Sequence, residues 1–320
     1  MADPARNQVH VDRPLTNVSV AYAQELSQFV SATIFPIVPV DHKTDEYYVY
    51  DKDYWLRNEA QERAPGAETA GSGWKNSTAT FAAKVYGVHK DIDDQIAADV
   101  DEGIDLERDA TRWCTEQVLM IRERQWVTNF FTTSLWTGSS TGSDITVTTT
   151  WDDDASTPIE DVETQRLSIQ EKTGRKPNTL VIGPEVYGQL RNHPDILDRI
   201  KYTERGIVTM DLLAALFDVD RVVVPGATRN TAGEGATASF DFVFGKHALL
   251  CHSARSPGLL TPSAGYTFSW RRYPGANAQG LLIDRWYERK LRATRVEGEI
   301  AFAHELVGAD LGVFFSAVVA

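Results

Sequence analysis

An α+β fold is predicted by three patterns met in order along the chain. Aromatic and β-branched residues flank a Gly/Ala-rich cluster within residues 45–90, the signal of two strands and a turn. Apolar residues at spacings of three, four and seven run through 103–131, the period of a long helix. Helix and strand patterns alternate through 158–225 and give way to strand patterns from 240 onward. Apolar residues at 42% and charged residues at 24% are ordinary for a globular chain and exclude wholesale disorder. At roughly 150 residues per domain, 320 residues suggest two domains.

Residues 1–44 read as an arm: a short helix near Tyr22–Val30, then an extended segment set by Pro36 and Pro39. Residues 45–90 read as one long hairpin. Its first limb carries Tyr47, Tyr48, Tyr50, Tyr54 and Trp55, and its return limb starts at Trp74 and holds Phe81, Val85 and Val88. A limb of about 14 residues extends about 45 Å. A lone two-stranded hairpin is marginal in water, so its aromatics call for a neighbouring surface. A ligand cage is the other reading of these rings; interface packing is simpler.

Residues 91–109 are strongly acidic, which suits the positive end of the helix that follows. That helix, Gly103 to Phe131, spans about 43 Å. Leu106, Ala110, Trp113, Gln117, Met120, Val127 and Phe131 fall on one face, expected to be core. After a loop and short strand through 137–157, Thr157 and Glu160 fit a capping box with Pro158 at the first helical position. Ile159, Val162, Arg166 and Ile169 line that helix, and Lys172 and Gly174 mark its end. NTLVIG (178–183) reads as a buried strand. Pro184 opens a helix that stops at His193 and Pro194, two further helices follow, and DRVVVPG is another strand. Residues 226–239 read as a flexible Gly-rich loop, and the apolar LGVFFSAVVA (311–320) as a buried strand, too short to span a bilayer.

The chain carries 32 Lys and Arg against 45 Asp and Glu, a formal net charge of −13. Such a charge argues against nucleic-acid binding through the overall field. Residues 271–295 nevertheless concentrate Arg271, Arg272, Arg285, Arg289, Lys290, Arg292 and Arg295. This stretch either touches nucleic acid or pairs with acidic residues of its own or another subunit; the net charge favours pairing. Cys114 and Cys251 are too few for a disulfide framework, which suggests a reduced compartment. The first residues hold no apolar stretch of signal-peptide length.

Signatures of chemistry are weak. No phosphate-binding loop and no nucleophile elbow occurs. Gly233 and Gly235 lack the rest of a dinucleotide fingerprint, and His304 lacks the second His of a zinc helix. The run Asp99 to Asp105 is one position short of a calcium loop and has no terminal Glu. The scattered histidines read as structural, although a Ser-His-Asp triad assembled from distant positions stays open. No cofactor, metal or catalytic residue is assigned.

The order of parts resembles the major capsid protein of tailed bacteriophages of the Hong Kong 97 type. The most specific stretch is Thr179–Thr203, TLVIGPEVYGQLRNHPDILDRIKYT, continued by DLLAALFDVDRVVVPGA, similar to the strand-helix-helix element of the family's axial domain. The resemblance implies an arm at 1–44 and an extended loop at 45–90 lying over a neighbouring subunit. It implies a peripheral domain of 91–157 and 269–305 with a long spine helix, and an axial α/β domain of 158–268 and 306–320. Subunits would form pentamers and hexamers of an icosahedral head enclosing double-stranded DNA without sequence-specific binding, assembled in the host bacterial cytoplasm and kept in the virion. Tyr47, Tyr48, Tyr50, Tyr54, Trp55, Trp74, Arg285, Arg289 and Arg292 are then expected at subunit interfaces. Arg229, Asn230, Gly233 and Gly235 are expected in the loop near the capsomer axis. Some family members begin with a long scaffolding domain; about 40 residues precede the hairpin here, which implies a separate scaffold or a processed or short form, alongside portal and decoration proteins. Some crosslink a hairpin Lys to an Asn; Lys52, Lys75, Lys84 and Asn277 are available, but no motif fixes a pairing. No membrane role is implied. A cellular nanocompartment shell of the same fold is the alternative, and a soluble α/β hydrolase or transferase a more distant one, since no cluster of catalytic groups is visible.

Overall fold

The computed structural model describes residues 24–50, 52–73, 75–99, 104–200, 208–258 and 260–320. A 3₁₀ turn at Leu26–Gln28 and helix α1, Ser31–Ile34, begin it. The helix expected at Tyr22–Val30 is therefore displaced towards Pro36, its first two residues lying outside the described ones. Phe35 is already extended (φ −109°, ψ 99°), as the residue before a proline must be. Strand β1, Ile37–Val40, follows.

The hairpin consists of β2, Thr44–Tyr50, and β3, Asn76–Ala82, and β3 leads on to β4, Lys84–Asp93. Its ladder is shorter than expected, running from Thr44 opposite Ala82 to Tyr50 opposite Asn76. A short helix, α2 at Lys52–Trp55, interrupts the first limb. Residues 56–73 form no ladder; Pro65, Gly66, Gly71 and Gly73 disfavour strand there. Helix α3, Asp94–Asp99, precedes the spine helix α4, Leu106–Phe130. The Asp105 side chain caps α4, accepting the Arg108 N–H at 3.0 Å.

Strand β5, Ile145–Thr146, and helix α5, Pro158–Thr173, come next. The expected capping box does not form: the Thr157 side chain makes no cap hydrogen bond. Pro158 has no N–H to satisfy and its fixed φ already starts the helix. Ile159, Val162 and Ile169 are buried, and Gly174 ends α5 at φ 67°. The alternating pattern continues as β6 (Thr179–Ile182), α6 (Pro184–Leu190), α7 (Pro194–Ile200), α8 (Met210–Leu216) and β7 (Arg221–Val223). The stretch expected as a flexible loop is a small hairpin of β8 (Thr228–Asn230) and β9 (Phe240–Phe242), with only its tip irregular. The remaining strands are β10 (Ala248–Cys251), β11 (Gly265–Trp270), β12 (Leu281–Glu288), β13 (Ala293–Leu306) and β14 (Gly312–Ser316).

Two sheets organise these elements. In the first, β13 pairs along one edge with β4 and along the other with β12 and then β11, and β1 adds in parallel to β11. The second has the order β5-β14-β10-β6-β7. Its central strands β14, β10 and β6 are buried on both faces. Leu180, Ile182, Leu250 and Phe315 enter a core under α5 to α8, while Val181, Leu249 and Phe314 enter another core with α1 and the end of α4.

The spine helix joins the sheets. Its buried face is Ala110, Cys114, Val118, Arg122, Glu123, Trp126 and Phe130, not the face through Trp113 and Gln117. The reason is close approach. A Cβ at Gly298 of β13 would lie 3.0 Å from the Cys114 Cβ, so only small side chains fit between helix and sheet. Trp113 is accordingly turned outward, 42% exposed. Further along α4, Trp126 meets Phe35 edge-on at 5.5 Å and stacks on Phe244 at 5.7 Å. The buried Glu123 carboxylate accepts the backbone N–H groups of Val30 and Ser31, both at 2.9 Å, fastening α1 to the spine. His304 of β13 lies in the same seam, 2.9 Å from the Thr267 hydroxyl and 3.1 Å from the Arg122 carbonyl.

Two outcomes follow. Gly298→Ala is expected to destabilise the unassembled subunit by about 1–3 kcal/mol through overpacking, whereas Trp113→Ala changes stability by less than about 1 kcal/mol. Urea denaturation of both variants checks the ranking. Burial, with the Arg122 charge nearby, holds the His304 imidazole neutral and lowers its pKa from 6.5 to about 4. The folded pKa lies below the unfolded one, so its contribution is present above pH 6.5 and is lost as pH falls towards 4. The loss reaches about 3 kcal/mol. A His304→Gln variant is expected to flatten that part of the urea-midpoint profile between pH 7 and 4.

Candidate intersubunit surfaces

Three extremities of the fold carry the residues singled out in the sequence. The first is the β2–β3 hairpin. Side chains alternate along a strand, so Tyr47 and Tyr48 point opposite ways. Tyr47 turns inward: its ring lies 5.4 Å from Phe268, and Phe81 of the paired strand stacks on the same ring at 4.3 Å. Burial pushes the Tyr47 phenol up. Tyr47 therefore anchors the hairpin root to its own chain, rather than presenting itself to a neighbour. Tyr48 points outward, 70% exposed, and Trp55 and Leu56 beyond it are 55% and 56% exposed. Tyr50 and Tyr54 belong to β2 and α2 by backbone position, and Trp74 lies outside the described residues.

The second extremity is the β12–β13 hairpin, which holds much of the basic stretch. The structure sorts its cations. Arg271 and Arg272 both reach Asp41, with Nε 2.6 Å and 3.3 Å from Oδ1, and the Arg271 hydrogen bond holds the Asp41 carboxyl below the usual range. Arg295 grips Asp91 with two bonds of 2.6 Å and 2.8 Å, which lowers that carboxyl too. Arg285 pairs with Glu107 at the start of the spine helix. Arg285 is thus engaged within its own chain. Arg289, Lys290 and Arg292 remain in the turn between the strands, all exposed, and among the described residues no carboxylate lies within ion-pair distance of them. Arg292 adopts φ 49°, which turns the chain back into β13. Tyr287 and Leu291, each 51% exposed, flank these charges.

The third is the β8–β9 hairpin. The Asn230 side-chain carbonyl accepts the N–H groups of Ala232 and Ser239 at 3.0 Å and 3.1 Å, closing the tip that contains Gly233 and Gly235. Gly235 sits at φ 82°, a conformation suited to glycine. Arg229 is half-buried on β8 with its Nε unpartnered, and Phe240 is 75% exposed. Gln24 ties the hairpin to the body through Thr228, at 2.8 Å and 3.1 Å.

His193, Ser156 and the two cysteines are held in buried contacts within the chain. His193 approaches the Ser156 hydroxyl at 2.9 Å, but its other nitrogen accepts the Asp195 N–H, so no carboxylate orients the imidazole, and Ser156 is buried. Cys114 and Cys251 are buried, and burial pushes the Cys251 thiol up to about 12. Among the described residues no group of three or more His, Cys, Asp and Glu is placed to hold a metal ion, and no helix is long and apolar enough to cross a membrane.

Comparison with known proteins adds identity to this geometry. The family described as phage major capsid protein E matches residues 139–224, which hold β5 to β7 and α5 to α8. The major capsid protein of Burkholderia phage BcepMu is 26% identical over 321 residues, 96% of this chain and 96% of its own length. A phage-related protein of Bordetella bronchiseptica RB50 shares the fold with a TM-score of 0.70 and 21% identity, over 92% of this chain and 93% of that one. The capsid of cyanophage P-SCSP1u does so at 0.60 and 12% identity, over 93% and 90%. An encapsulin complex of Synechococcus elongatus PCC 7942 has the fold as well, at 0.55 and 11% identity over 97% of each chain. The α+β architecture is that of Hong Kong 97-type capsid subunits, and along nearly its whole length the chain is similar in sequence to a phage major capsid protein.

If the turn between β12 and β13 makes intersubunit ion pairs, Arg289→Glu with Arg292→Glu lowers the salt concentration at which assembled particles dissociate, and leaves the subunit melting temperature unchanged. Light scattering across a salt titration reads this. Unchanged particle stability removes the turn from the interface.

Proposed function

We propose that the chain assembles into pentamers and hexamers of an icosahedral phage head around double-stranded DNA. The observation that carries this is the hairpin. Its root is fixed by the Phe81–Phe268 stack, while Tyr48, Trp55 and Leu56 beyond the root stay exposed. Apolar groups held outward on an anchored lever suit contact with another copy. Opposite charges kept apart, a cationic turn against an acidic chain, support heterologous contacts between copies. A net charge of −13 would keep such a shell from trapping the DNA it encloses.

In this reading the first sheet and spine helix form the peripheral domain, and the second sheet with α5 to α8 the axial one. The pairing of β5 with β14 draws residues 145–146 towards the axial unit, earlier than a boundary at 157. The β8–β9 hairpin faces the capsomer axis. Assembly takes place in the host bacterial cytoplasm, with separate scaffolding, portal and decoration proteins as further partners. A nanocompartment shell is the second reading, favoured by the encapsulin likeness; the match to a phage capsid protein along nearly the whole chain outweighs it.

Negative-stain electron microscopy with light scattering on the purified protein tests the proposal. Closed particles or five- and sixfold rings are expected. A protein that stays monomeric under every salt condition overturns it, and particles that carry an enzyme cargo rather than DNA in their native host favour the nanocompartment. A Tyr48→Ala, Trp55→Ala double variant is expected to lower particle yield at least tenfold while the unassembled subunit melts within about 2 °C of wild type, since exposed positions contribute little to stability.

A further inference from the structure

Beyond its root, the hairpin folds back on its own subunit. After Tyr50 the chain enters α2, where the Leu56 N–H closes on the Lys52 carbonyl at 2.9 Å. The Lys52 ammonium pairs with Asp310, which belongs to the 3₁₀ turn Ala309–Leu311 leading into β14, 258 residues further along the chain. Leu56 lies over the end of α5, with its Cδ2 3.8 Å from where a Cβ on Gly174 would be.

The receiving side is well supported. The second oxygen of Asp310 accepts the Thr137 hydroxyl. Lys172 donates to the Thr137 carbonyl at 2.9 Å and also to the Ser139 carbonyl. Backbone bonds from Thr137 to Ala309 and from Gly138 to Gly312, at 3.1 Å and 3.0 Å, fix this platform to the second sheet. The hairpin is thus held by a buried aromatic root on the first sheet and, beside the second, by contacts of the α2 segment that include the Lys52–Asp310 pair and Leu56 over the end of α5. The two contacts differ in strength. The root is apolar and covered, whereas the Lys52 and Asp310 side chains are 44% and 32% exposed, the environment in which an ion pair is weak and easily exchanged. The same short segment carries the exposed Trp55 and Leu56.

We infer that α2 is a latch: the Lys52–Asp310 pair holds the hairpin loop on its own subunit before assembly, and a neighbouring copy that takes up Trp55 and Leu56 releases it. The consequence for assembly rests on the shell reading; the latch itself is a property of the single subunit. Its weakness is what lets a neighbour displace it.

Two measurements test this. The first is hydrogen exchange of the amides at 52–56 in the unassembled subunit. Lys52→Glu is expected to speed exchange there about three- to tenfold, and Lys52→Arg to leave it near wild type, with unchanged melting temperatures. Equal exchange in all three proteins overturns the latch. The second is a Lys52→Cys, Asp310→Cys variant bridged by a short reducible linker, feasible because Cys114 and Cys251 are buried. The bridged protein is expected to stay unassembled, and reduction to restore shells. Bridged protein that assembles like its reduced form overturns the inference. Failure of the wild-type chain to assemble at all would instead remove the shell reading, while the exchange measurement would still decide the latch.

Discussion

The close passage of the spine helix over β13 is the contact on which the rest of the fold depends. At its first half α4 lays Ala110, Cys114 and Val118 on Val296, Ile300 and the bare backbone of Gly298. At its second half it sends Trp126 and Phe130 into the aromatic core behind the second sheet. One rigid rod therefore belongs to two cores, and the placement of one sheet against the other follows from where it lies. β13 amplifies the effect, because β4, β12 and β11 all hydrogen-bond to it. The hairpin leaves the body through β4, and the cationic turn ends β12. A shift of α4 on β13 would move both extremities together. Glu123 adds the incoming arm to the same axis, since its carboxylate holds the first residues of α1.

A second regularity concerns what the body satisfies and what it leaves outward. The arginines close to the sheet find carboxylates in the same chain: Arg271 and Arg272 at Asp41, Arg285 at Glu107 and Arg295 at Asp91. Those in the turn beyond the last ladder pair find none among the described residues. The hairpin repeats the pattern, with Tyr47 and Phe81 turned to Phe268 and Tyr48 turned away. The β8–β9 hairpin does so again, its tip closed by Asn230 and Phe240 left at the surface. Pleat and register produce this division. One face of each projecting ribbon must anchor it, so the other is available for contact.

The elements of the α/β region were legible in the sequence because local punctuation marks them: Pro158, Pro184 and Pro194 at helix starts and Gly174 at a helix end. What stayed hidden depends on residues distant in the chain. The buried face of α4 is chosen by Gly298, so counting apolar spacings selected Trp113, the larger residue, on the wrong side. The Lys52–Asp310 pair at α2 joins residues 258 apart, which no local pattern shows. The charge-rich stretch 271–295 was visible as a whole, but which of its arginines are spent internally depends on strand register. Glu123 left no signal at all, since a glutamate flanked by Arg122 and Arg124 in a charge-rich helix reads as a solvated side chain until the arm is laid against it.

Strength falls outward from the spine, and this gradient bears on how such a subunit can be used. A contact within the body, such as the Trp126 cluster, involves several buried rings and is made once, on folding. Contacts at the extremities include half-exposed ion pairs, each worth about 1 kcal/mol or less when alone. A closed assembly repeats every such contact around each symmetry axis, so weak individual contacts sum to a stable whole while single subunits stay free to join, leave and rejoin. Strong contacts at the same places would trap misplaced subunits. The fold meets that requirement by placing buried apolar anchoring at the roots of its projections and exposed charges and single apolar side chains beyond them. The Lys52–Asp310 pair belongs to the second class, and its exposed setting is what the proposed latch requires.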